Sequence, residues 1–142
     1  MPQQPAMTTE GTLRILRIIH GALFAALLLY AVAIWTVPST TPDKPPMTEV
    51  SALAGISVVL LAAGARVRRK NIESAFETLR SKPDDFVALQ RWRKGAVLSA
   101  AMAEAVALFS VSLHFMGGSR LQVAGFWIAG AIAMLLWWPQ RP

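Results

Sequence analysis

The chain has 142 residues, 54% of them hydrophobic, and a formal net charge of +6. Its apolar residues are concentrated in four long runs, which excludes an ordinary soluble domain and indicates an integral membrane protein. Cysteine is lacking, and the sequence has no nucleotide-binding loop, nucleophile elbow or metal-ligand spacing. We therefore expect no enzyme activity, no cofactor and no metal site.

The four apolar runs predict four transmembrane helices, since about 20 apolar residues are needed to cross a hydrocarbon core about 30 Å thick. Backbone groups in lipid must form hydrogen bonds within their own segment, which favours helices. The expected spans are residues 15–37, 47–66, 95–116 and 121–138. We therefore predict an all-α integral membrane protein, with a bundle of four transmembrane helices forming one membrane domain over residues 1–142.

The first span and its flanking segments have distinct compositions. Residues 1–12 are polar, contain two prolines and are expected to be loosely ordered. The apolar run of residues 15–37 is longer than the core of a typical signal peptide, so we interpret it as a retained anchor. Four prolines follow within residues 38–46, which predicts an extended external loop.

Residues 67–94, between the second and third spans, are predicted to form a helical hairpin. The first half has apolar residues at the i, i+3, i+4 and i+7 spacing of an amphipathic helix: Ile72, Ala75, Phe76 and Leu79. Pro83 then interrupts this helix and starts a second one, which continues into the third span. We expect the first helix to pack against Phe86 and Leu89. The hairpin is either a docking surface for a partner or two membrane helices that extend past the bilayer.

The basic residues are distributed asymmetrically. Nine of the fourteen lie in residues 66–94, from the end of the second span to the start of the third, and only Lys44 and Arg120 lie in the two loops on the opposite side. The positive-inside rule then places both termini and the hairpin in the cytoplasm, in a multi-pass protein of the bacterial inner membrane. Seven basic residues near the membrane are expected to set this topology or to contact anionic lipid headgroups: Arg66, Arg68, Arg69, Lys70, Arg91, Arg93 and Lys94. No aromatic stacking pattern accompanies them, so nucleic acid is not an expected partner.

The apolar run of the second span covers residues 50–65, so Glu104 is the one acidic residue inside any of the four apolar runs. It lies about 15 Å along the helix from Lys94, close to the membrane midplane, where a carboxyl group is costly and by default marks a functional site. The surrounding span is rich in alanine, which predicts that it is the central helix of the bundle. Possible companions are His20, Ser57 and Ser110. Two roles remain open for Glu104 and His20: a polar anchor between helices, or an ion-binding site.

Residues 55–116 resemble the helical hairpin of the ATP synthase c subunit. Arg80-Ser81-Lys82-Pro83 is similar to that family's polar turn, and residues 101–109 are similar to its carboxylate helix, with Glu104 at the ion-binding position. This resemblance implies a proton- or cation-translocating subunit that uses Glu104.

The whole pattern resembles small bacterial four-span membrane proteins that end in an aromatic-Pro-x-Arg-Pro tail, here Trp138 to Pro142. This second resemblance favours a structural or accessory membrane protein. Its expected partners are the lipid bilayer with its anionic headgroups, and other membrane subunits or a second copy of the chain.

Reporter fusions test the predicted topology. Fusions at Asp43 and Gly118 should report an external location, and fusions at Pro83 and Pro142 a cytoplasmic one, because basic residues cluster on the side of the latter pair. A cytoplasmic signal at Gly118 would contradict both the hairpin and the depth assigned to Glu104.

Overall fold

The structure is a computed structural model that describes residues 8–39 and 45–142. All regular structure in these residues is helical, which confirms the predicted all-α class. The elements are α1 (Thr9–Thr36), α2 (Met47–Arg68), a π-helical turn (Arg69–Glu73), α3 (Ser74–Ser81), α4 (Phe86–Phe115) and α5 (Arg120–Leu136). The predicted external loop, 38–46, lies partly outside the described residues, as do residues 1–7 of the N-terminal segment.

Three helices are long and apolar enough to cross a membrane. They are Thr9–Thr36, the continuous helix Met47–Ser81 formed by α2, the π-helical turn and α3, and Phe86–Phe115, with mean hydropathies of 2.2, 1.9 and 1.9 over their apolar windows. The fourth, α5, is also apolar but has 17 residues, a rise of about 25 Å against a hydrocarbon core of about 30 Å. Many large apolar side chains face outwards, as lipid-facing surfaces do.

The helix α4 is the central element and contacts each of the other helices. Its buried face consists largely of small residues: Gly95, Ala96, Ser99, Ala100, Ala103, Ala107 and Ser110. Small side chains allow neighbouring backbones to approach closely, which replaces the hydrophobic driving force that is missing between helices in lipid. The alanine content of this segment therefore explains its central position, as expected.

Two glycines mark close contacts of α4 with its neighbours. A Cβ atom on Gly130 of α5 would lie 2.7 Å from the Ala103 carbonyl oxygen and from the backbone nitrogen and Cβ of Ala107. Ala103 and Ala107 are four residues apart, on one face of α4. A Cβ atom on Gly95 would lie 2.8 Å from the Asn71 Cβ, so α4 also approaches the π-helical turn closely. Both contacts depend on the missing side chain of glycine.

An apolar cluster joins α1, α3 and the start of α4. Its buried members are Leu13, Leu16, Ile72, Ala75, Leu79, Ala88, Leu89, Trp92 and Ala96. The predicted contact with Phe86 is wrong, because that side chain is 53% exposed, whereas Trp92 is 1% exposed. An α-helix rotates by about 100° per residue. Phe86 therefore lies about 100° around α4 from the centre of the stripe of buried residues. Trp92 instead meets Phe76 edge-to-face, with ring centroids 5.6 Å apart.

Helix α1 begins before the predicted span. The Thr8 side chain accepts a hydrogen bond from the Gly11 backbone N–H at 3.1 Å, and the helix begins at Thr9. The Thr9 backbone N–H also donates to Asp84 Oδ1 at 3.4 Å, and its hydroxyl donates to the Pro83 carbonyl. Residues 9–12 were expected to be loosely ordered and are helical, because an N-cap and the α3–α4 turn satisfy their free backbone donors.

The crossing of α4 and α5 can be tested at Gly130. The Gly130→Ala substitution places a methyl group against the α4 backbone and should lower the free energy of unfolding by about 1–3 kcal/mol. The matched control is Gly125→Ala on the same helix, because a Cβ atom there meets nothing within 4 Å. Unfolding in one detergent compares the two variants. Equal stability of both would contradict the close contact.

Candidate functional site

Glu104 lies on the central helix and has a partner on α1. The Tyr30 hydroxyl donates a hydrogen bond to Glu104 Oε1 over 3.0 Å, and both side chains are partly buried. Tyr30 also packs against the second apolar cluster of the protein, which includes Leu27, Ala103 and Met134. The carboxyl group is therefore paired with a neutral donor that is itself held in place by apolar packing.

This pair belongs to a series of polar contacts along one face of α1. His20 Nε2 lies 2.8 Å from the Met134 carbonyl oxygen, and Trp127 Nε1 donates to the Leu27 carbonyl oxygen at 2.9 Å. Near the end of α1, His114 Nε2 lies 2.7 Å from the Val37 carbonyl oxygen. The positions involved, 20, 27 and 30 in α1 and 37 directly after it, are seven, three and seven residues apart, which is the a/d spacing of a single helix face. We call these four contacts the α1 polar seam.

The expected companions of Glu104 form their contacts elsewhere. His20 is 2% exposed and lies at the other end of the α1 polar seam, where its ring meets Trp138 edge-on at 5.0 Å. Ser57 and Ser110 each donate to a carbonyl group of their own helix. The structure therefore places His20 and Glu104 in separate contacts.

The sequence interpretation missed Tyr30. It is the only tyrosine of the chain and lies within an apolar run. A buried tyrosine hydroxyl usually requires a hydrogen-bond partner, and the one carboxyl group inside the apolar runs was an available acceptor. That requirement was the signal that could have identified the pair.

The seven basic residues that are predicted to lie near the membrane fall into different environments. Arg68 is partly buried, and its Nη1 donates to the Trp137 carbonyl oxygen at 3.0 Å. This contact satisfies a free carbonyl at the end of α5 and places a cation at the negative end of the helix dipole. The other six are exposed: Arg66, Arg69, Lys70, Arg91, Arg93 and Lys94.

These exposed residues line two separate grooves. The larger groove, of about 1160 Å³, lies between α2, the π-helical turn and the C-terminal segment, and includes Arg66, Arg69 and Lys70. The smaller one, of about 660 Å³, includes Arg91, Arg93 and Lys94, together with apolar residues of α1 and α4. The basic charge is therefore divided between two surfaces of the protein.

The Tyr30–Glu104 pair joins α1 to α4 by a hydrogen bond. Among residues 8–39 and 45–142, no group of three or more His, Cys, Asp or Glu side chains could hold a metal ion.

Comparisons of the chain with protein-family models, curated proteins and solved structures found no match.

A double-mutant cycle measures the contribution of the pair to stability. Tyr30→Phe removes the donor and should lower the free energy of unfolding by about 0.5–2 kcal/mol, the range found for hydrogen bonds between membrane helices. In a Glu104→Ala background the same substitution should cost less, because the acceptor is already absent. Denaturant titration of the four proteins gives the coupling. Strictly additive effects would show that the hydrogen bond does not contribute to stability.

Proposed function

We propose that the protein is a non-enzymatic, structural or accessory subunit of the bacterial inner membrane, in which Glu104 is a polar anchor between helices. The observation that carries this proposal is the 3.0 Å hydrogen bond from Tyr30 to Glu104. Tyr30 packs against an apolar cluster, which supports its hydroxyl beside the carboxyl group. A structural anchor requires only this hydrogen bond between the hydroxyl and carboxyl groups of two helices.

The arrangement of the helices supports a four-span topology with both termini in the cytoplasm. The contacts of the α1 polar seam pair α1 with α5 in opposite directions, since His20 meets Met134 and Leu27 meets Trp127. Arg141 Nη2 and Glu10 Oε2 lie 3.2 Å apart, and these two residues are close to the two ends of the chain. The short α5 can span if the bilayer thins locally at a modest energetic cost.

The second candidate is a proton- or cation-handling subunit in which Glu104 titrates. One observation favours it: the Glu104 carboxyl is only partly buried, on a helix otherwise suited to crossing the membrane. A carboxyl that can be reached from the surface of the bundle can exchange a proton, whereas a fully enclosed one cannot do so without an opening motion. The resemblance of residues 55–116 to the c subunit supports the same candidate.

The substitution Glu104→Gln separates the two functions. The glutamine carbonyl can still accept the Tyr30 hydroxyl hydrogen bond, but the side chain cannot titrate. If Glu104 is an anchor, the variant should keep its stability, and its proteoliposomes should show the same proton conductance as those of the wild type. Dye-monitored proton uptake provides the measurement, with Glu77→Gln on the exposed face of α3 as the control.

A wild-type proton conductance that Glu104→Gln abolishes and Glu77→Gln retains would replace the structural proposal with the transport candidate. Labelling by dicyclohexylcarbodiimide gives a second measurement, because this reagent modifies protonated carboxyl groups. Selective modification of Glu104 that declines as pH rises would also favour transport. Labelling that is no stronger at Glu104 than at Glu77 would favour the anchor.

A further inference from the structure

We propose that the larger groove, between α2, the π-helical turn and the C-terminal segment, is a binding site for an anionic phospholipid. In this site Arg66, Arg69 and Lys70 hold the phosphate, and an acyl chain lies along Val59 and Ala62. The proposal rests on insertion of the protein in a membrane, but not on the role of Glu104. We refer to this surface as the basic groove.

The basic groove has the charge required for an anion. Arg66, Arg69 and Lys70 are spaced by three and four residues, so they lie on the same side of the helix. All three are exposed. Arg68 also lines the groove, where it is bonded to the Trp137 carbonyl, and Glu73 is the one carboxylate in the lining. The cations therefore outnumber the carboxylate by four to one, which favours a phosphate group.

The other half of the basic groove is apolar. Val59, Ala62 and Ala63 line it one to two helical turns before Arg66. Their spacing places them on the same side of α2 as the basic residues, so one stripe changes from apolar to cationic along the helix. A phospholipid changes from acyl chain to phosphate in the same order. The apolar part of the stripe can therefore contact the acyl chain of a phospholipid while the cationic part contacts its phosphate.

The size and position of the basic groove favour a lipid over a soluble anion. The groove is open and has a volume of about 1160 Å³, which is enough for a headgroup and the first part of an acyl chain. The α2 surface beside it is apolar and open, since Ile56 and Val58 are 49% and 67% exposed. Trp137 lies at its basic end, where an aromatic residue of the membrane interface is expected. Basic pockets between membrane helices on the cytoplasmic side are known to hold lipid headgroups.

The π-helical turn connects the two parts of the proposed site. It contains Arg69 and Lys70 and follows directly on Arg68. These basic residues therefore lie where the backbone hydrogen bonds join residues five apart instead of four. Its position is set by the close contact of Asn71 with Gly95 of α4. The backbone that carries Arg69 and Lys70 therefore packs closely against α4.

Native mass spectrometry of the purified full-length protein in detergent tests the proposal. The probes are an anionic phospholipid and a zwitterionic phospholipid with the same acyl chains, and we expect retention of the anionic one. The triple variant Arg66→Gln, Arg69→Gln, Lys70→Gln should bind it about 100-fold more weakly, at about fivefold for each lost charge. The matched control, Arg91→Gln, Arg93→Gln, Lys94→Gln, removes the same charge from the smaller groove and should change the affinity less than about threefold.

Two further arms separate a lipid site from a simple anion site. Ala62→Phe fills the apolar half without changing the charge, and it should weaken lipid binding about tenfold. Soluble glycerol phosphate should bind far more weakly than the lipid, because it lacks the acyl chain. Equal losses in both triple variants, an unchanged affinity in Ala62→Phe, or equal binding of glycerol phosphate would each overturn the proposal.

The folding and membrane insertion of each variant are checked separately. Circular dichroism and a melting curve show whether the variants fold, and alkaline extraction of membranes shows whether they insert. Loss of lipid binding in a folded, inserted triple variant supports the lipid site whatever the role of Glu104. An uninserted wild-type protein would instead overturn the membrane function proposed above, together with the lipid site that rests on it.

Discussion

The hydrogen bond between Tyr30 and Glu104 satisfies the carboxyl group on the central helix, and the packing of the other helices depends on this. The central helix α4 contacts every other helix, so its surface must be small and apolar to allow close packing. A carboxyl group on a helix that packs this closely is costly unless it is hydrogen-bonded. Tyr30 satisfies it from α1 at 3.0 Å. The single acidic residue of the apolar runs thus connects α4 to a particular face of α1.

This connection is one of several polar contacts that position the outer helices. Hydrophobic burial gives little preference for one helix arrangement over another in a bilayer, because lipid is as apolar as the side chains. The α1 polar seam supplies the missing specificity along α1, from His20 to Val37. Helix α5 is located by direct backbone contact at Gly130, and Arg68 binds the carbonyl at its C-terminal end. Small residues allow the helices to approach, and the polar contacts fix their register.

Much of the fold could be predicted because it depends on local pattern. Apolar run lengths identify the helices, and the spacing of Ile72, Phe76 and Leu79 predicts that the second helix continues past the membrane. Alanine content predicts that α4 is central. Tyr30 could not be assigned to Glu104 by depth alone, because helix tilt and register decide which side chains meet. The sequence also contains no signal for the π-helical turn, since its residues fit an ordinary α-helix equally well.

Isotope-edited infrared spectroscopy tests the central contact most directly. The difference between the spectra of ¹³C-glutamate-labelled wild type and Glu104→Gln isolates the Glu104 carboxyl band from those of the other glutamates. A hydrogen bond from a phenol lowers the frequency of such a band, so Tyr30→Phe should shift it to higher frequency in lipid bilayers. A Glu104 band that keeps its frequency in Tyr30→Phe would show that the carboxyl group has no tyrosine partner and would contradict its role as an anchor.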